Sequence, residues 1–428
     1  MNYFGTDGIR GVVGASFNID LVVKTAKAVV RYLAEQGGGK RVVVGWDTRE
    51  SCDFIVGALS GVLAAGGAAV LKLGVVPSGA LGFLTRELCA DLGIMITASH
   101  NPAEWNGIKL FSRMGGKLDD TEIEKIEFFM DGIAGGQVRS TACARVGRIK
   151  NKFAAVKLWE KHLTDTFGGG VANKRIAFDC ANGSGFKTAR NVMRALGFNA
   201  AFFNKALGGN RVNLRCGANH GEFLGGVMKN RGGFDVGFAF DGDADRCVIF
   251  DENGRVVHGD AVLFLLARAA GAKTLVSTVM FNSGVERSLE KHGIKLVRTA
   301  VGDRFVMREL LKHTCAVGGE ASGHVLFPHL APVGDGLLTA LMVLKLLCES
   351  GKTMSELCAG VEVWPSRMKN IAVTAGQKAA FKTDKVFYKD GCRVLIRASG
   401  TENIVRVFVE GASEEICERV VAEVAVLV

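Results

Sequence analysis

Residues 92–102 read Leu92-Gly93-Ile94-Met95-Ile96-Thr97-Ala98-Ser99-His100-Asn101-Pro102, an apolar run that stops abruptly at hydroxyls, an imidazole and an amide. A short continuous apolar run bounded by turn formers is the pattern of a strand buried on both faces, as in parallel sheets covered by helices. The same cadence recurs on either side. Arg41-Val42-Val43-Val44-Gly45 predicts a strand, followed by a helix over 52–65 and a strand over 68–73. Residues 175–179 predict a strand before a glycine turn and a helix at 185–196, with a later strand over 234–240. Strands at 274–277 and 295–297 alternate with helices at 282–291 and 303–311. Strands alternating with helices predict βα units and parallel sheets. After Trp364-Pro365 the pattern changes to strands at 370–374, 393–397 and 404–409 and one amphipathic helix from about Ser413, a small α+β domain.

The chain of 428 residues exceeds the roughly 100 to 200 residues of a typical domain. Boundaries near 148, 247 and 362 divide it into 1–148, 149–247, 248–362 and 363–428. Apolar residues at 48% and charged residues at 22% exclude a largely disordered chain. Glycine is abundant, 56 residues against 5 prolines, which points to tight strand-to-helix turns and close backbone approaches. The net charge of +10 raises nucleic acid as a partner. The basic residues, however, are interspersed with acids and form no Lys/Arg-rich run or base-stacking motif, so no nucleic acid is expected and small anionic substrates are.

Eleven cysteines show no CxxC pair, and an odd number cannot all pair with one another, so reduced core thiols are expected. The start, Met1 to Asp7, has no basic segment leading into an apolar stretch. The longest apolar stretch, 336–347, is shorter than the roughly 20 residues that cross a bilayer. A cytoplasmic location without membrane contact is the expectation.

Ligands of doubly wound α/β folds bind beyond the carboxyl ends of strands, and polar loops stand there. In the first, Ser99 flanked by His100 and Asn101 can be an exposed nucleophile or phosphate carrier; a simple turn is the alternative. In the second, Asp241-Gly242-Asp243-Ala244-Asp245-Arg246 follows an apolar run and sets three carboxylates at alternate positions, which repel unless a cation sits among them. A hard cation such as Mg²⁺ suits such oxygens. The spacing does not make an EF-hand, because Glu252, the twelfth residue, follows a strand-like run at 247–250. The third loop, Gly318-Gly319-Glu320-Ala321-Ser322-Gly323-His324, offers groups that bind sugar hydroxyls. The fourth, Arg397-Ala398-Ser399-Gly400-Thr401-Glu402-Asn403, suits a phosphate monoester through its arginine fork, hydroxyls and backbone N–H groups.

In this order, with the opening Phe4-Gly5-Thr6-Asp7-Gly8-Ile9-Arg10-Gly11, the continuation Asn106-Gly107-Ile108-Lys109, and Asp179 to Gly183, Val301 to Arg304 and Gly334-Asp335-Gly336, the motifs resemble the α-D-phosphohexomutases over nearly the whole chain. The resemblance implies three similar α/β domains with mixed, largely parallel sheets around a cleft, plus a smaller C-terminal α+β cap. It implies a phosphoserine at Ser99 and Mg²⁺ held by Asp241, Asp243, Asp245 and an oxygen on Ser99. A phosphoryl group would pass through a hexose 1,6-bisphosphate, which also serves as activator.

Arg10 and His100 would act at the reacting phosphate. Lys109, its pKa lowered by burial beside cations, would be the general base or acid, with His324 second. Glu320 and Ser322 would bind the sugar, and Arg246, Arg397, Ser399, Gly400, Thr401 and Arg406 would complete substrate binding. The opening and the third loop look most like the glucosamine branch, which feeds UDP-N-acetylglucosamine synthesis; mannose or glucose phosphate is the runner-up. From other classes stand a metal-dependent sugar phosphatase and a silent sugar-phosphate-binding protein. The oligomeric state, a homodimer included, is left open. The chain departs from the family pattern at Ala244, where glycine is usual, at Val333, where threonine is usual, and at Asn403, where proline is usual.

Overall fold

The computed structural model describes residues 3–5, 7–37, 40–132, 146–168, 173–381, 384–399 and 403–426. Its first sheet has the spatial order Ile9–Val12, Trp105–Ser112, Leu92–Ile96, Arg41–Trp46, Ala69–Val75, Ile149–Asn151. Leu92–Ile96, buried at every residue, pairs parallel to Arg41–Trp46 on one side and antiparallel to Trp105–Ser112 on the other. The apolar run therefore occupies the double-sided position its composition requires.

The second sheet runs Val256–Val257, Cys247–Phe250, Val236–Phe240, Arg175–Asp179, Asn199–Phe203, and the third Lys295–Thr299, Thr274–Thr278, Gly318–Gly319, Val325–Leu326. Both are mixed. Sheet membership carries the first unit past residue 148, because Ile149–Asn151 pairs with Val70 to Lys72, and the second past 247, because Cys247–Phe250 pairs with Val236–Phe240.

Each unit turns its chemistry-bearing loop in the same manner. Val236–Phe240 returns antiparallel as Cys247–Phe250, Gly318–Gly319 as Val325–Leu326, and Cys392–Ala398 as Ile404–Glu410, just as Leu92–Ile96 returns as Trp105–Ser112. The four loops picked out by sequence are thus all hairpin connections. The return strand Cys247–Phe250 falls on the strand-like run read at 247–250, whereas Trp105–Ser112 and Val325–Leu326 were not read from sequence.

One apolar core runs through the first three units. It includes Leu81 and Met95 of the first, Phe178 and Phe240 of the second and Phe264 and Leu341 of the third. Trp159, fully buried on the helix Val156–Phe167, joins them. The apolar stretch 336–347 is part of the helix Gly336–Ser350, buried here as a core element. Among the described residues no helix is long and apolar enough to cross a membrane. Most of the described cysteines are buried as expected, but Cys89 is exposed, at the turn that ends the helix Ser78–Glu87.

The fourth unit is an antiparallel sheet in the order Ser366–Ala372, Ile404–Glu410, Cys392–Ala398, Lys385–Lys389, covered by the helix Glu414–Ala425. Alternation along its central strands divides two faces. Val394, Ile396, Val405, Val407 and Val409 pack on the helix side in a separate core with Val420 and Val424. On the other face the register sets Arg393 opposite Glu410, Leu395 opposite Phe408 and Arg397 opposite Arg406. Arg393 pairs with Glu410 at 2.5 Å, both buried, and donates to the carbonyls of Val279, at 2.8 Å, and Phe281, at 3.2 Å, in the third unit. Glu410 also accepts from the Ser283 hydroxyl at 2.6 Å. The fourth unit is therefore attached through buried polar groups, in contrast to the apolar joint among the other three.

Replacing Arg393 by alanine leaves Glu410 a buried carboxylate without its cation, a change that costs about 3 kcal/mol or more. Chemical denaturation should then show the fourth unit unfolding in an earlier, separate transition. A single transition shifted by less than about 0.5 kcal/mol would show that this pair is not the attachment.

Candidate active site

Ser99 lies at the turn after Leu92–Ile96, fully buried, with φ of +51°. Its hydroxyl donates to Asp241 Oδ2 at 2.6 Å and lies 3.5 Å from His100 Nδ1. Two buried residues that sequence reading passed over hold this loop in shape. Asp47 and Arg49 follow Arg41–Trp46 and form an ion pair of 2.9 Å with no solvent exposure. Arg49 donates to the carbonyls of Ser99 (3.0 Å), Asn101 (2.8 Å), Trp105 (2.7 Å) and Pro102. Asp47 accepts from Thr97 Oγ1 at 2.7 Å, and Thr97 Oγ1 accepts the Ser99 N–H at 2.9 Å. Their signal was available, since Asp47-Thr48-Arg49 also sits at the carboxyl end of an apolar strand.

The second unit closes on the same loop. Asn213 donates to the Ser99 carbonyl at 2.8 Å and to that of Asn101 at 2.9 Å. The approach is tight enough to require glycine at 242, where an added Cβ would lie 2.6 Å from the Ser99 carbonyl oxygen.

Asp241, Asp243 and Asp245 bring carboxylate oxygens within 4.8 Å of one another, all three buried. Burial, then Asp245 and Asp243, push the Asp241 carboxyl up to about 7. Among the described residues Asp243 Oδ1 has no hydrogen-bond partner, and Asp245 Oδ1 has only His324 Nδ1 nearby, at 3.7 Å. Clustered, desolvated oxygens with unmet acceptor capacity fit a hard divalent cation. Ser78, at the start of the helix Ser78–Glu87, orients Asp243 by donating to its Oδ2 through the hydroxyl. Ala244 has φ of +53°, so the position usually held by glycine does require the left-handed region.

Lys109 differs from its expected setting. Trp105–Ser112 carries it inward, where Nζ meets Asp243 Oδ2 at 2.8 Å, Asp245 Oδ2 at 2.9 Å and Asp7 Oδ2 at 3.0 Å. Burial opposes its charge, but the three carboxylates outweigh burial and hold the ammonium well above its ordinary pKa. Its dominant neighbours are anions, not the cations expected from sequence, so its pKa is raised here and not lowered.

His324 lies beyond Asp245 from Ser99, 3.2 Å from Asp303 Oδ2 by Nε2. Burial works against its charge, yet Asp245 and Asp303 raise it to about 10. His100 is the opposite case, pushed down to about 3 by burial and by the guanidinium groups of Arg246 and Arg10, and so neutral at physiological pH. Arg10 donates to Asn101 Oδ1 at 3.2 Å and pairs with Asp7. Asp7 also pairs with Lys117, which reaches Asp303 Oδ2 at 2.7 Å. Asp7, Ser78, Lys117 and Asp303 were not singled out as site residues by sequence.

Arg246 donates its backbone N–H to Asp241 Oδ1 at 3.3 Å. Glu320 Oε1 accepts the Gly302 N–H at 3.1 Å, and Ser322 is exposed. Burial and Arg406 lower the Arg397 pKa, with Asp384 and Glu320 opposing them, so the third and fourth loops act on one another. Ser399 is buried and donates its N–H to the Ile404 carbonyl at 2.9 Å. Gly400 and Thr401 lie outside the described residues.

The chain was compared with known proteins. Residues 1–134, 169–254 and 258–363 match the alpha/beta/alpha domains I, II and III of phosphoglucomutase/phosphomannomutase, and residues 365–427 match its C-terminal domain. Phosphoglucosamine mutase of Shouchella clausii is 37% identical, covering 97% of this chain and 96% of its own length. Phosphoglucosamine mutase of Clostridium botulinum, strain Eklund 17B, is 39% identical over 96% of this chain and 95% of its own. A phosphoglucomutase/phosphomannomutase family protein of Burkholderia thailandensis shares the fold, with a TM-score of 0.83 over 97% of this chain and 94% of that one at 24% identity. Similarity of this strength along the whole length, with every domain matched in order, makes this chain a member of the phosphoglucomutase/phosphomannomutase family of phosphohexomutases.

Proposed function

We propose that the protein interconverts glucosamine 6-phosphate and glucosamine 1-phosphate, with Ser99 carrying the travelling phosphoryl group. The observation that carries this reading is the 2.6 Å contact of Ser99 Oγ with Asp241 inside the carboxylate cluster. A hydroxyl placed there can bear a phosphoryl group whose oxygens share a cation with the aspartates. Asp241, Asp243, Asp245 and an oxygen on Ser99 would hold Mg²⁺, which when bound supplies positive charge to the phosphoryl oxygens.

Phosphoryl transfer depends on positioning and charge stabilisation more than on a strong base. In the first half-reaction the bond from phosphorus to Ser99 Oγ breaks as the C1 oxygen of glucosamine 6-phosphate attacks. The proton of that sugar hydroxyl ends on Ser99 Oγ, and His100, whose Nδ1 lies 3.5 Å from Oγ, orients that oxygen. In the second half Ser99 Oγ attacks the 6-phosphoryl group of the 1,6-bisphosphate, the bond from that phosphorus to O6 breaks, the Oγ proton passes to O6, and glucosamine 1-phosphate leaves with Ser99 rephosphorylated. Arg10 and Arg246 balance charge at the travelling group, and Lys109 keeps the aspartates paired. A hexose bisphosphate would load Ser99 initially.

Glu320 and Ser322 would bind the sugar. Arg397 and Arg406, in register on neighbouring strands, would grip the stationary phosphate with Ser399, Gly400 and Thr401. Two guanidinium groups on neighbouring strands can take the oxygens of one phosphate, which supports a phosphate there. The glucosamine assignment draws on the names of the similar full-length proteins, and the setting inferred is the cytoplasm, with a small sugar phosphate as partner. A homodimer is compatible with this reading.

Ser99→Ala should fold normally and lose turnover by about a thousand-fold or more. Intact-mass measurement after incubation with glucose 1,6-bisphosphate should show no added phosphoryl group, and near-native turnover would remove Ser99 as carrier. Arg49→Lys keeps the charge but replaces a planar fork by a point donor. Its kcat should fall about 10- to 100-fold with a slower gain of phosphoryl mass, and an unchanged kcat in a folded variant would show that the loop does not need this grip. Substrate choice is checked by kcat/KM. Glucosamine 6-phosphate should exceed glucose and mannose 6-phosphates by about 10- to 200-fold, and equality would leave a phosphohexomutase of another specificity.

A further inference from the structure

Between the first and third units, apart from the hairpin loops, lies a cavity of about 570 Å³ for which the proposed reaction has no use. Sites for small organic molecules commonly measure roughly 300 to 1,000 Å³. Its apolar wall includes Phe305, Leu326, Pro332 and Val333. Met114 and Leu311, also lining it, are 65% and 62% exposed, large apolar side chains left in water.

The charges around it do not cancel. Asp120 pairs with Arg304, Asp303 with Lys117, and Asp119 caps the helix Asp120–Asp131 by accepting the Glu122 N–H at 2.8 Å. Outside these ion pairs stand two guanidinium groups against the single carboxylate of Asp119. Arg308 lies 5.6 Å from the Phe305 ring centre and has no carboxylate at ion-pair distance among the described residues. Arg86 has only its exposed neighbour Glu87, at 3.4 Å, a pairing of little energy. In addition, Arg304 Nε is buried with no hydrogen-bond partner among the described residues.

We propose that this cavity binds a small organic anion with an aromatic or alkyl body and a single anionic head. The wall would cover the body, and Arg86 and Arg308 would take the head, as planar guanidinium groups take carboxylate, sulfonate or phosphate oxygens. Lys117 and Asp303 belong both to the cavity lining and to the ion-pair chain that reaches His324. An occupant would therefore alter turnover as well; that effect rests on the proposed mutase reading, whereas binding does not.

The test titrates the full chain with 8-anilinonaphthalene-1-sulfonate, an aromatic monoanion. The expected result is one saturable site with blue-shifted emission, undisturbed by saturating glucose 1,6-bisphosphate. Affinity should fall about tenfold or more, at least about 1.4 kcal/mol, in the double variant Arg86→Glu, Arg308→Glu. Gly116→Phe should also weaken it by filling the cavity, since an added Cβ there meets nothing nearer than the Pro332 carbonyl at 3.7 Å. Native circular dichroism confirms that these variants fold. Should they not, the uncharged N-phenyl-1-naphthylamine on the unmodified protein replaces them, with about tenfold weaker binding expected. Absence of saturable binding, equal affinity in the charge-reversed variant or for the uncharged dye, or displacement by the bisphosphate would overturn the proposal. So would dimerisation that excludes the dye, which would assign this face to a second copy.

Discussion

A carboxylate moved from water into a protein interior costs several kcal/mol unless charge and hydrogen bonds replace its hydration, and one loop here buries Asp241, Asp243 and Asp245 together. The loop cannot meet that demand alone. Lys109, Ser78 and Ser99 come to it from the first unit and His324 from the third. The cations among these partners, Lys109 and His324, matter most to stability, because a buried charge that loses its counter-charge is strongly destabilising. An apolar core continuous through the three units provides that fixity. The Ser99 hydroxyl thus has two relations to the aspartates. It is one of the donors to the cluster, and in the proposed reaction it is the group whose chemistry the cluster would serve.

Much of the architecture was legible because buried parallel strands announce themselves as apolar runs. Leu92–Ile96, Arg175–Asp179 and the helix Cys52–Ala65 fall where the sequence reading set them. Trp105–Ser112 was not legible, since its glycine, lysine and serine interrupt any apolar alternation. Its burial is earned by the ion pairs of Lys109, which are tertiary facts. The same blindness explains the mistaken electrostatics of Lys109, whose aspartate neighbours lie more than a hundred residues away. Ser99, the three aspartates, Glu320 and His324 could be found because their loops concentrate chemistry in a few residues. Arg49 shows the limit of that approach: its own loop was passed over, and apart from Asp47 its acceptors are four backbone carbonyls of residues 99–105, which leave no trace in residue types.

Several left-handed non-glycine residues lie at the same junction. Ser99, Ala181, Asn182, Asn213 and Ala244 all have positive φ between 51° and 58°. For a non-glycine residue this costs about 1 kcal/mol. At Ala244 the strain is held by the Gly336 N–H, which donates to its carbonyl at 2.8 Å from the start of a buried helix. Its methyl is fully buried, and burying one such group contributes about 0.8 kcal/mol. The two effects nearly offset each other, so alanine in place of glycine leaves the shape of the aspartate loop intact.

The fourth unit stands in a different relation to this rigid body. Its attaching pair, Arg393 with Glu410, and its anion-facing pair, Arg397 with Arg406, occupy one face of the same two strands, separated by Leu395 and Phe408. Four residues of strand span about 13 Å, so the attachment fixes one end of a short, stiff arm whose other end bears the guanidinium groups. A rotation about the attachment would displace those groups relative to Glu320 and leave the helix-side core of Val394, Val407 and Val420, which lies within the unit, as it is. A bisphosphate that must present first one phosphoryl group and then the other to Ser99 needs such a combination. In the proposed reaction three units would hold the reacting atoms, and the fourth, joined by polar contacts, would follow the phosphate that is not reacting.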